Sequence, residues 1–369
     1  MNYKANFQRG FSLIELLVSM AITLVVVLAA AIVYINTRES DAAQSKLTDS
    51  LQTGAFATQL LGRDIAQAGT YPVVMPVTTT YFPEGGKIGT QPEGGWSFPP
   101  QGWKTEVTNT AFHSAVFGCD GGRFNPATGV CDVSVALAPY RSAPDTLIIN
   151  YFSADSREMG AIGTRFDCTG SNVGNVTVTV NATRKLNEGA SVPLPGLAPL
   201  PVTENVELPP HRPLFVSNRY TVVNTNTEVD QQTIATRSLA CHGNSNTVNQ
   251  PLMLGVEDLQ VTYGVAPINA GASMQLAPQR FYTAVQVAAL PDVAFEGVNY
   301  PPWDQVTAVR ICMMTRTLGN TRVQDKITEA RTYLDCTDET PQTYAATDRS
   351  LRKRHVQVFA LRNRLTQTY

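Results

Sequence analysis

Three groups of residues in this 369-residue chain have the types and spacing to do chemistry. The first is a single carboxylate, Glu15, at the start of an otherwise uncharged apolar run, Leu16 to Ile35. A carboxylate in that setting is costly unless paired, so its expected role is to meet a cation at the same depth. The second group is six cysteines, Cys119, Cys131, Cys168, Cys241, Cys312 and Cys336, all downstream of the apolar run. Their even count and the absence of C-x-x-C point to disulfides in an oxidising compartment rather than to zinc. The histidines (His113, His211, His242, His355) sit at no ligand-like spacing. Several connectivities are open, and sequence alone does not choose among them. The third group is basic: Arg349, Arg352, Lys353, Arg354, His355, Arg362 and Arg364 crowd the end of the chain. A solvated face, or an edge strand protected by charge, is the ordinary explanation of such a cluster. The sharper one is contact with an anionic partner, DNA or an acidic neighbouring subunit, through Arg352, Lys353, Arg354, Arg362 and Arg364.

Catalytic arrangements are missing from the sequence. There is no H-E-x-x-H, G-x-S-x-G, phosphate-binding glycine loop or dinucleotide fingerprint. Asp120-Gly121-Gly122 with Asn125 lacks the alternating oxygen ligands of a calcium loop and reads as a turn. Cys241-His242 reads as a bridged cysteine beside a loop histidine. The expectation is a protein that is not an enzyme and holds no cofactor or metal.

The elements that must position these groups follow from patterning. Leu16 to Ile35 is 20 residues long, about 30 Å as a helix, which matches a bilayer core. Lys4 and Arg9 precede it, whereas Arg38, Glu39 and Asp41 follow with mixed sign, so the N-terminus is expected in the cytoplasm and everything after residue 38 outside it. Ala29-Ala30-Ala31 resembles a signal-peptide cleavage site, but the run is too long for such a peptide and begins with an acid. Beyond it, Leu47, Leu51, Ala55, Thr58, Leu61, Ile65 and Ala68 recur at helical intervals, with Lys46, Asp49, Gln52, Gln59, Arg63 and Asp64 between them. No proline interrupts Phe11 to Gly69, and Gly69 with Pro72 makes a stop. One helix of about 58 residues is expected, with Gly54 a weak point of about 1 kcal/mol relative to Ala.

The remainder reads as β-rich. Only 16% of residues are charged, and the net charge of −2 creates no global field for nucleic acid or anionic lipid. Residues 70–145, with Trp96, Phe98, Trp103 and Phe112, read as loops with short strands. Strands are expected at Thr146 to Phe152, Val176 to Val180, Tyr220 to Val223, Leu259 to Val265, Val306 to Met314 and His355 to Leu361. Pro193 to Pro213 reads as an extended connector, either a lobe boundary or an insertion within one domain.

Arg9-Gly10-Phe11-Ser12-Leu13-Ile14-Glu15 resembles the processing site of type IV prepilins and type II secretion pseudopilins. The resemblance implies that a prepilin peptidase cuts between Gly10 and Phe11 and methylates the new amine of Phe11. It implies too that Glu15 pairs with such an amine on a neighbouring subunit during assembly. A second resemblance covers the C-terminal third: Val256-Glu257-Asp258-Leu259-Gln260-Val261-Thr262-Tyr263-Gly264, Trp303 to Ile311, and Leu361-Arg362-Asn363-Arg364 are similar to segments of the PilW family of large minor pilins. That family is related to the J-type minor pseudopilins of type II secretion, the alternative reading; a membrane-anchored periplasmic enzyme is a third.

What the family implies is an α+β fold. A leader (1–10) precedes a transmembrane, filament-core half of a helix (11–35) and its exported amphipathic half (36–69), which packs on a β-rich, disulfide-bearing domain (70–369). It further implies a subunit that starts in the inner membrane and ends in the extracellular pilus, at the tip. There it would meet other minor pilins, the major pilin and the inner-membrane assembly platform. Priming of pilus assembly, twitching motility, adhesion and DNA uptake are the roles implied.

Overall fold

The computed structural model describes residues 12–70, 114–125, 131–133, 143–152, 166–173, 183–184, 206–207, 215–229, 231–243, 248–266, 277–295, 298–318, 331–336, 342–344 and 350–365. Several sequence expectations lie outside these residues: Gly10 and Phe11, the strand at Val176 to Val180, most of the Pro193 to Pro213 connector, the aromatic stretch from Trp96 to Phe112, and His113 and His211.

Helix α1 runs Leu13–Gln67, 55 residues, without a break. Its start follows from local chemistry, because Ser12 and Glu15 form a reciprocal capping box. Its end lies where sequence put it: Gly69 adopts φ 71°, a left-handed conformation that glycine takes without strain, and its N–H donates to Asn150 O at 2.9 Å. Among the described residues this is the one helix long and apolar enough to cross a bilayer.

Two antiparallel sheets form the body. In the first, strands β1 (Val116–Cys119), β2 (Thr146–Phe152), β3 (Phe215–Val229), β4 (Gln232–His242) and β5 (Gln250–Leu254) lie side by side in chain order. Gly255 turns the chain directly into the second sheet, where β6 (Val256–Val265), β7 (Arg280–Tyr282), β8 (Val306–Arg316) and β9 (Arg352–Ala360) take the order β7-β6-β8-β9. Val, Ile, Thr and Tyr dominate the central strands, as a pleated buried surface requires. Five expected strands are found; Thr146–Phe152 has the expected bounds, and the other four are longer than expected. The first residue of the Leu361-Arg362-Asn363-Arg364 ending lies beyond β9 and is fully buried in the core.

The core lies between the sheets and beneath the second half of α1. Leu61 and Ile65 from the helix meet a layer that includes Leu147, Ile149, Tyr220, Leu239, Leu259, Tyr263 and Val309. Trp303, from a 3-10 turn at Pro302–Gln305, stacks at 4.7 Å from Phe117 and edge-on at 4.9 Å from Tyr263. Three disulfides join sequence neighbours: Cys119–Cys131, Cys168–Cys241 and Cys312–Cys336. The first and third close short loops, and the second ties residue 168 to the end of β4.

Candidate assembly site

At the head of α1 the Glu15 carboxylate accepts the Ser12 N–H at 3.2 Å, and the Glu15 N–H donates to Ser12 Oγ at 3.3 Å. The carboxylate therefore sits over the positive end of the helix, where the macrodipole favours an anion. Glu15 stands four residues along the chain from Phe11. Every residue from 12 to 35 is exposed, including Leu13 at 78% and Leu24 at 69%. An apolar surface of that length bare to solvent has to be covered by lipid or by protein.

The exported half of α1 docks through a face that its apolar spacing suggests only in part: Thr58, Leu61, Ile65 and Ala68 are buried as expected. Leu47, Leu51 and Ala55, expected against the body, are exposed, as is Phe56 at 57%. The buried face joins Thr58, Leu61 and Ile65 of the expected stripe to Ser50, Gly54, Ala57 and Asp64. Small residues win because the helix lies close against β8 and β9: a Cβ on Gly54 would overlap the His355 ring, and one on Gly62 would overlap Phe359. Gly54 is thus an approach point rather than a weak point. Ser50 Oγ donates to Thr315 Oγ1 at 3.0 Å, and that hydroxyl lies 3.0 Å from His355 Nε2. Burial, with Lys353 nearby, holds His355 below its usual pKa, so the ring is neutral at neutral pH.

Asp64 is a second departure. Expected on the polar face, it is 8% exposed and accepts hydrogen bonds from Tyr220 OH at 2.6 Å and from Asn218 Nδ2. Two donors on β3 compensate its burial. Sequence spacing carried the signal, since Asp64 shares the helical face of Ala57 and Leu61. At the helix end Asn363 Nδ2 reaches Ala66 O and Ala68 O at 3.1 Å and Thr70 Oγ1 at 2.8 Å. A residue of the C-terminal motif therefore caps the last carbonyls of α1.

The basic cluster separates in space. Arg352 donates to Glu257 Oε2 at 2.8 Å while Arg316, its cross-strand partner, holds Glu257 Oε1 at 3.1 Å, all three side chains nearly buried. One carboxylate thus bridges two facing guanidinium groups and relieves their mutual repulsion, and this accounts for Glu257 in the β6 motif. Lys353 and Arg362 are exposed, Arg354 is half-buried, and the side chain of Arg364 lies outside the described residues. Arg349 lies outside them altogether.

Polar residues elsewhere have structural partners. Asp120 accepts the N–H groups of Ala284 and Val285 at 2.7 and 2.8 Å, capping the short helix α2 (Ala284–Ala288). Cys241 is bridged, and His242 is the last residue of β4 rather than part of a loop. Asp145 accepts Gly121 N–H at 2.7 Å and Val261 N–H at 2.8 Å, joining the two sheets, and burial pushes its pKa up to about 8. Burial also raises Asp258 to about 6. Among the described residues no group of three His, Cys, Asp or Glu side chains could hold a metal ion.

A bare N-terminal helix with a capped carboxylate, joined to a disulfide-bearing two-sheet body, is a pilin-like layout. Residues 5–31 match the family model for the prokaryotic N-terminal methylation motif. Residues 219–363, from β3 through the residue that caps α1, match the model for type IV pilus-assembly protein W. The chain thus carries the prepilin-type motif and a PilW-like type IV pilus-assembly domain, and its apolar helix anchors it in the membrane before assembly. Proteins of this kind are structural components of an assembly rather than enzymes. No curated protein and no solved structure matches the chain.

Proposed function

We propose that this chain is a minor pilin that helps to prime type IV pilus assembly and remains at the pilus tip. In this reading it supports twitching motility and adhesion, and DNA uptake in cells that take up DNA. The observation that carries it is the joining, on one chain, of a prepilin-type motif at 5–31 and a PilW-like domain at 219–363 by a helix whose first half is bare. Residues 1–10 are the leader, 11–35 the filament-core half of the helix, 36–69 its exported half, and 70–369 the globular domain. The N-terminus faces the cytoplasm until cleavage between Gly10 and Phe11 and methylation of Phe11. The apolar half of α1 then moves from lipid to the filament interior, where neighbouring helices cover the same surface.

Glu15 supplies the selective step. In the membrane its carboxylate is satisfied by its own Ser12 N–H; in the filament a neighbouring subunit's terminal amine is the stronger, charge-assisted donor. Glu15→Ala is expected to leave membrane insertion intact and to lower incorporation into sheared pili severalfold. Unchanged incorporation would remove the pairing role. A deletion strain tests the wider reading: loss of surface pili is expected, whereas normal piliation with lost protein secretion would assign the chain to a type II secretion system.

A further inference from the structure

The edge of the second sheet is built to accept a strand. Natural edge strands are commonly blunted by bulges, prolines or central charges. β9 has none of these: its nine residues pair with β8 in unbroken register from Arg352 to Ala360, its charges gather at one end, and β8 is its one described neighbour. On one face of this edge Val356 and Val358 stand 48% and 51% exposed. On the other face a groove of about 540 Å³ opens beside the line along which the strand packs on α1. Ala55, Gln59 and Arg63 line the groove from the helix, and His355, Val356, Gln357 and Phe359 line it from the strand. No carboxylate lines it, exposed Arg63 supplies its positive charge, and Lys353, two residues before His355 on the strand, is exposed. The nearby acids are already engaged, Asp64 by Tyr220 and Asn218 and Glu257 by Arg316 and Arg352.

We propose that β9 is a docking edge for an extended segment of another protein, one that alternates carboxylate residues turned into the groove toward Arg63 with apolar residues laid beside Val356 and Val358. Main-chain bonds along β9 would supply the affinity, and the two faces the register, as in other strand-addition complexes. Charge disfavours a second copy of this chain, which would bring Arg63 and Lys353 against like charge. Nucleic acid would be drawn by the positive charge but has no use for the apolar face. The proposal deepens the reading of the chain as an assembly subunit by naming one surface through which it takes a partner.

The test uses the full chain in detergent micelles and a fluorescein-labelled nine-residue peptide of alternating Val and Glu, with fluorescence anisotropy as the readout. Binding is expected, with the peptide amide band shifting to β-sheet frequencies. Arg63→Glu and Val358→Lys, both at exposed positions, should each weaken binding by about tenfold or more without changing the circular dichroism. Equal binding of an alternating Val–Lys peptide would overturn the proposal, as would affinity unchanged by both variants. It would also fall if a DNA oligonucleotide displaced the peptide, or if Val358→Lys abolished self-association of the chain while the peptide failed to bind. The assay needs no pilus, so its failure removes the docking edge alone, whereas a deletion strain with normal pili removes the assembly reading and leaves the edge.

Discussion

Asp145 receives two backbone N–H groups, one from the β1 side and one from β6, and its Coulombic neighbours Asp120 and Asp258 add like charge. Burial outweighs the hydrogen bonds, so its pKa rises from 3.8 to about 8. In the unfolded chain the same carboxyl ionises near its ordinary value, so above that pH the unfolded state binds fewer protons than the folded one. Stability from this group is complete below the unfolded pKa and is lost as pH rises through the folded pKa. Asp258, shifted to about 6, has levelled off by pH 7, and His355, whose pKa is lowered, loses its contribution only on acidification below 6.5. A fall in unfolding free energy on the order of 1 kcal/mol between pH 7 and pH 8 therefore belongs to Asp145. Chemical denaturation of the full-length protein in micelles measures it. Asp145→Asn should flatten that interval; a slope preserved in the variant would assign it elsewhere.

At the scale of elements, the instructive case is α1. Its existence, its unbroken length and its stop at Gly69 were legible, because they rest on local rules: apolar spacing, the lack of proline, and a glycine where φ must be positive. Its docking face was only half legible. Leu61 and Ile65 point inward as their spacing suggests, but Leu47 and Leu51 do not, because the partner surface has its own demands. The His355 and Phe359 rings of β9 leave room only for Gly54 and Gly62, and Ser50 is chosen by a hydroxyl on β8. Helical periodicity reports that an apolar stripe exists, not which of two partners will cover it. Here Leu47, Leu51 and Phe56 stay exposed. Asn363 shows the same limit, since no local pattern connects it with a helix almost 300 residues earlier. Its amide holds two otherwise open carbonyls, so Asn363→Ala should lower stability by about 1–3 kcal/mol. Faster proteolysis and amide exchange near residues 61–68, with β3 and β4 still protected, would be the signature of an unfastened helix end.

For the whole molecule, the sequence carried the class of cross-link, because an even number of cysteines without C-x-x-C is read directly from the residues. It did not carry the pairing, which depends on which strands become neighbours. The bridges differ in what they constrain. Cys119–Cys131 and Cys312–Cys336 span sequence separations of 12 and 24, whereas Cys168–Cys241 spans 73. A cross-link that closes a longer loop removes more freedom from the unfolded chain, about 3 kcal/mol for a short loop and more than 4 for one of this length. The long bridge also anchors residue 168 beside β3, where Asn218 Oδ1 accepts the Cys168 N–H at 3.0 Å while its amide holds Asp64 on α1. Disulfide, sheet and helix therefore converge on one asparagine. Replacing both Cys168 and Cys241 by Ser should destabilise the protein by about 4 kcal/mol, roughly 1.5 kcal/mol more than the Cys119/Cys131 pair of replacements. Because Asn218 stands between the bridge and Asp64, removing the long bridge should also loosen α1, whereas removing the Cys119–Cys131 bridge should not. Equilibrium denaturation ranks the two variants, and amide exchange along residues 57–68 reads the helix. If the long-bridge variant unfolds at a lower denaturant concentration while α1 stays as protected as before, the link through Asn218 transmits nothing, and the bridge acts on the unfolded chain alone.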